Sequence, residues 1–132
     1  MPELTRTILI ADDEPDIHEF LQAAIEREGL QFVNAVDGEE ALAKAHSETP
    51  DLIILDVQMP KRDGFSVFAE LQKSEATRDI PVIMLTGVGE RTGVKFKSED
   101  MGSFLGKEPA AYIDKPVDAA GIRETAYSLM RI

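Results

Sequence analysis

Asp51-Leu52-Ile53-Ile54-Leu55-Asp56-Val57-Gln58-Met59-Pro60 decides the fold. Four aliphatic residues follow one another without a polar break, and two of them are β-branched isoleucines that favour extended backbone. A run this short and this uniformly apolar suits a strand covered on both faces, as in the interior of a parallel sheet. It stops at a carboxylate, Asp56, and a turn carrying Pro60 and Gly64 follows.

The same pattern recurs on either side. Upstream, Ile8-Leu9-Ile10-Ala11 stops at Asp12-Asp13-Glu14-Pro15. Pro15 suits the first turn of a helix, and Ile17, Phe20, Leu21, Ala24 and Ile25 form a helical stripe that Gly29 is expected to end. Phe32–Val36 reads as a weaker second strand, and Asp37 as the N-cap of a helix running to about His46. Downstream, Phe65, Phe68, Ala69 and Leu71 mark a third helix, and Pro81–Thr86 a fourth strand. Ala111–Ile113 is a short fifth strand, and Asp118 caps a last helix bearing Ile122, Ala126, Leu129 and Met130. Glycines interrupt the stretch from Gly87 to Pro109. There Val94–Lys97 alternates like a strand while Ser98-Glu99-Asp100 reads as the start of a short helix, and the sequence does not choose between them.

Strands alternating with helices imply an α/β fold, a parallel sheet with helices on both faces. At 132 residues with no repeat or linker, the chain is read as one domain over residues 1–132. The absence of cysteine excludes disulfides and thiolate metal sites. A net charge of −11 argues against direct binding to nucleic acid or to anionic membranes. The longest apolar runs are far too short to cross a bilayer. Met1–Arg6 contains no apolar run of signal-peptide length, so a cytoplasmic location is expected.

In an open parallel sheet, ligands bind outside the carboxyl ends of the strands. Those ends carry Asp12-Asp13, Asp56, Thr86 and Asp114-Lys115-Pro116. Each has an ordinary explanation alone: a solvated turn, a turn-forming Asp, a good strand residue, a surface Lys-Pro. Their joint placement at four strand ends does not. Converging carboxylates repel one another unless a cation sits among them. Magnesium, which prefers oxygen ligands, suits Asp13 and Asp56 directly and Asp12 directly or through water. An aspartate can also act as a nucleophile toward phosphorus, with the Lys115 ammonium and the Thr86 hydroxyl each holding a phosphoryl oxygen. His18 and His46 are assigned to solvated helix faces.

These motifs resemble, over nearly the whole chain, the receiver domains of two-component response regulators. Ile8–Pro15 looks like the family's first strand and acidic pair, and Asp51–Pro60 with Asp63-Gly64 like the segment around its phosphoacceptor. Pro81–Thr86 resembles the fourth strand with its switch hydroxyl, and Tyr112–Pro116 the fifth strand, lysine and proline. The resemblance implies a flavodoxin-like (βα)5 fold with sheet order 2-1-3-4-5. It implies phosphorylation of Asp56 by a histidine kinase or phosphotransfer protein, with the domain catalysing its own phosphorylation and dephosphorylation. It further implies magnesium held by Asp12, Asp13, Asp56 and the Gln58 backbone carbonyl, and Lys115 against the phosphoryl group. Thr86 and Tyr112 would be coupled switch residues, the Lys115–Pro116 bond is often cis, and the domain would be a monomer or a phosphorylation-dependent dimer.

Two departures stand out. The stretch between Thr86 and Lys115 is longer than usual, with Glu108-Pro109-Ala110-Ala111 where the family has Gly-Ala, which makes the helix between the fourth and fifth strands atypical. The sequence ends at Ile132, shortly after the last helix, so a stand-alone receiver and a piece of a longer protein with an unknown output both stay open. Three rival functions remain: a receiver-fold interaction module acting without phosphorylation, an aspartate-based phosphatase, and a flavin binder of the same fold. Gln58 stands where such phosphatases place a second acid, and no phosphate-cradling Ser/Thr/Gly loop follows the first strand.

Overall fold

A computed structural model of the chain describes residues 5–87 and 109–132. Five strands, β1 (Arg6–Ala11), β2 (Leu30–Ala35), β3 (Leu52–Asp56), β4 (Val82–Thr86) and β5 (Ala111–Asp114), form one sheet of order β2-β1-β3-β4-β5. Every neighbouring pair is parallel. Four helices are described: α1 (Pro15–Ile25), α2 (Gly38–Glu48), α3 (Gly64–Gln72) and α4 (Ala119–Met130). The expected fold and strand order are therefore present. The strand or helix weighed within residues 88–108, and the atypical helix expected there, lie outside the described residues.

The two-residue period of each strand sorts its side chains between two cores. Leu9, Ile53, Leu55 and Met84 pack with Ala41 and Ala45 of α2 and Phe65, Phe68 and Leu71 of α3. Ile8, Ile10, Ile54 and Leu85 pack on the opposite face with Leu21 and Ile25 of α1 and Ile122, Ala126 and Met130 of α4. All five residues of β3 are buried. Each buried aliphatic side chain contributes about 1.5–3 kcal/mol relative to exposure, so β3 anchors both cores and fixes where Asp56 emerges.

Helix starts follow local chemistry. Asp37, Asp63 and Asp118 cap α2, α3 and α4 by accepting from the backbone N–H of Glu40, Ser66 and Gly121. The end of α1 differs from expectation. It stops at Ile25, where Glu26 N–H donates to Gln22 O at 2.8 Å and the backbone turns extended. Gly29, at φ 90°, lies beyond it in the turn leading to β2, and its carbonyl accepts from Arg6 N at 2.9 Å. That contact and the Arg6–Leu30 pairing start β1 and β2 two residues earlier than their apolar runs. Val36, expected inside the second strand, lies outside it and is half-exposed. No helix among the described residues is long and apolar enough to cross a membrane.

Candidate functional site

The site forms where β1, β3, β4 and β5 release the chain. Asp12 directly follows β1, Asp56 and Thr86 end β3 and β4, and Lys115 follows β5. Asp12 and Asp56 are 0% and 3% exposed, whereas Asp13 is exposed. One carboxylate oxygen from each of these three residues lies within 4.8 Å of the others. The donor set is all oxygen, anionic and open on one side, and it fits a hard divalent cation.

Lys115 closes the other side. Its Nζ lies 3.2 Å from Asp56 Oδ1 and 3.3 Å from Asp12 Oδ2, with Glu14 Oε1 at 4.0 Å. Burial pulls the ammonium pKa down. The charges of Asp56 and Asp12, helped by hydrogen bonds to both, outweigh that and hold it above the ordinary lysine value. The lysine is therefore a fixed cation at neutral pH. The Lys115–Pro116 peptide bond is cis.

Asp12 is held on three sides. Its Oδ1 accepts from Glu14 N at 2.9 Å, its Oδ2 faces Lys115, and its carbonyl lies 2.7 Å from His18 Nε2. His18 Nδ1 lies 2.9 Å from Asn34 Oδ1, so the ring ties the start of α1 to β2. His18 is only 8% exposed, which corrects its assignment to a solvated face; His46 is exposed as expected. The buried stripe of α1 is His18, Leu21, Ala24 and Ile25, and Phe20 at 38% exposure lies outside it. The signal was available: His18 stands three residues before Leu21 and seven before Ile25, the spacing of one helix face.

The turn after β3 is closed around the site. Gly64 N–H donates to Val57 O at 2.7 Å, and a Cβ at Gly64 would come within 2.5 Å of Asp56 O. Only glycine permits that approach. Lys61 has φ 71° and is spanned by an Arg62 N–H to Pro60 O bond of 2.7 Å, a γ-turn of positive φ. Pro60 O also accepts from Gly38 N at 3.2 Å, which docks the turn on the start of α2. An open cleft of about 710 Å³ results, lined by Asp13, Asp56, Gln58 and Lys115 among others.

Asp12, Asp13, Asp56 and Lys115 thus come together, and Gln58 stands at the rim of the same cleft. Thr86 does not direct its hydroxyl to this group; Thr86 Oγ1 donates to Asp114 Oδ1 at 2.9 Å. Tyr112 pairs in register with Met84 and packs on the α2–α3 face, its hydroxyl withdrawn from solvent.

Comparison with known proteins agrees with this fold. Residues 8–126 match the family model described as response regulator receiver domain. The chain is 37% identical over 130 residues to the alkaline phosphatase synthesis transcriptional regulatory protein PhoP of Bacillus subtilis, covering 97% of this chain and 50% of that protein. It is 38% identical over 124 residues to the DNA-binding dual master transcriptional regulator RpaA of Synechocystis, covering 94% of this chain and 48% of that one. The chain spans about half the length of these curated relatives. Among solved structures, the signal receiver domain of a histidine kinase from Syntrophus aciditrophicus superposes with a TM-score of 0.82 at 31% identity, over 96% of this chain and 91% of that one. The chemotaxis response regulator CheY4 of Vibrio cholerae gives 0.79 at 27%, over 95% and 98%. The chain belongs to the response regulator receiver domain family of two-component systems.

Proposed function

We propose that this receiver is a phosphorylation switch in which Asp56 is the phosphoacceptor. The observation that carries the reading is the buried Asp56 carboxylate facing Lys115 at 3.2 Å, beside Asp12 and Asp13 and open to a cleft. One Asp56 oxygen forms a bond to phosphorus as the bond from phosphorus to a donor histidine nitrogen breaks, and the electron pair leaves with that nitrogen. Lys115 moves from shared carboxylates to a phosphoryl oxygen, a charge-assisted contact. Asp12, Asp13 and Asp56, with the Gln58 carbonyl, would hold Mg2+, which when bound neutralises charge between nucleophile and phosphoryl group. His18 and Glu14 N–H keep Asp12 oriented for that duty.

The phosphodonor is a sensor histidine kinase or phosphotransfer protein. The output is a partner or an attached domain that responds to a charge change biasing a two-state surface. Direct contact of the receiver with nucleic acid is not part of this reading, given its acidity. Incubation with a small acyl phosphate and Mg2+ is expected to add one phosphoryl group to the wild-type protein and none to D56N. Equal labelling of both would remove Asp56 from the role.

A further inference from the structure

The Thr86 hydroxyl is already engaged, and by a carboxylate. Thr86 Oγ1 donates to Asp114 Oδ1 at 2.9 Å. Thr86 and Asp114 are register partners at the ends of β4 and β5, so their side chains leave the sheet on one face, above Met84 and Tyr112. Lys115 N–H donates to Thr86 O at 2.7 Å, which pins the Thr86 main chain. Thr86 is 1% exposed, so its hydroxyl has little access to water.

A threonine hydroxyl has one proton to donate. A phosphoryl oxygen on Asp56 that receives it must take it from Asp114. With the main chain pinned, the exchange falls to rotation of the Thr86 side chain. We infer that Asp114 is a positioning residue that holds Thr86 in its resting rotamer and sets how readily the phosphorylated centre engages it. The inference rests on the phosphoacceptor reading of Asp56.

The test uses the full chain as wild type, D114A, D114N, T86A and the D114A/T86A double variant. Beryllofluoride with Mg2+ serves as the phosphoryl probe. Its affinity is measured by calorimetry, and the Thr86 rotamer by three-bond NMR couplings in the probe-free protein. Wild type is expected to show one Thr86 rotamer and D114A an average of several. D114A should bind beryllofluoride severalfold tighter, up to about tenfold, equivalent to about 1.4 kcal/mol. D114N, which keeps an acceptor but no charge, should fall between. In the T86A background the D114A gain should disappear. An unchanged Thr86 rotamer in D114A overturns the inference, as does an equal affinity or a gain that persists in T86A. Failure of wild type itself to take the probe instead overturns the reading of Asp56, and the inference with it.

Discussion

Lys115 Nζ sits 3.2 Å from Asp56 Oδ1, and the same nitrogen reaches Asp12 Oδ2 at 3.3 Å. One ammonium therefore compensates two nearly buried carboxylates that stand at the ends of different strands. Lys115→Met removes that compensation and should lower stability in metal-free buffer by about 1–2 kcal/mol, a partly exposed cation being discounted from the fully buried case. The Lys115 pKa is raised by folding, so its contribution is complete below the ordinary value of 10.5 and fades as pH rises through the folded value. Urea unfolding of both proteins from pH 7 into the alkaline range checks this: the gap between them should be constant at first and narrow above about pH 10.5.

Magnesium should stabilise the folded chain by mass action, about 2.7 kcal/mol at one hundred times its Kd. A chelator should reverse the gain. Asp13→Asn leaves the exposed member of the acidic trio without charge and should weaken Mg2+ binding at least about tenfold. Calorimetric titration of both proteins measures it, and equal affinity would remove Asp13 from the metal site.

Gly64→Ala places a Cβ 2.5 Å from Asp56 O and 3.0 Å from Val57 Cα, both backbone atoms that cannot swing aside. The clash should cost about 1–3 kcal/mol and displace the end of β3, so phosphoryl uptake should fall together with stability. A variant with wild-type unfolding and wild-type labelling would contradict the close approach.

Strand existence was legible because buried parallel strands are apolar throughout: the runs at residues 8–11, 52–55 and 82–85 needed no partner to be read. The acidic pair, Asp56, Thr86 and Lys115 were legible as strand-end residues for the same reason. Strand order came from family resemblance, since a run buried on both faces does not reveal its neighbours. Gly29 misled because a glycine after a helix is a good cap by propensity, yet here the Glu26 turn ends α1 first. His18 was missed because a polar residue on a helical stripe looks like a break in it; its partners, Asn34 and the Asp12 carbonyl, are distant or main-chain. The Thr86–Asp114 bond depends on register between β4 and β5, which sequence does not display.

His18→Leu keeps bulk while removing the imidazole from Asp12 O and Asn34. It should cost about 1–3 kcal/mol, the penalty for leaving a buried polar partner unsatisfied. Because Asp12 loses a restraint, Mg2+ affinity should fall as well, whereas a purely structural role would lower stability alone. Chemical denaturation and metal titration of the same preparation separate the two.

Asp37 caps α2 and faces Lys61 at 3.6 Å. The Glu40 N–H bond lowers its pKa; desolvation opposes this and the Lys61 charge assists it. Its charge therefore stabilises the fold above the ordinary value of 3.8, and that benefit is lost as pH falls through the lower folded value. Asp37→Asn keeps the cap without the charge. Its unfolding midpoint should lie below wild type at neutral pH and converge with it in acid.

The central claim is that Asp56 carries the phosphoryl group. Borohydride reduction of the acyl-phosphate-treated protein, followed by peptide mass spectrometry, reads the acceptor directly because an aspartyl phosphate is reduced to homoserine. Homoserine at position 56, dependent on Mg2+, is the expected result. Reduction at Asp12 or Asp13, or none anywhere in a protein shown to be folded, would contradict it.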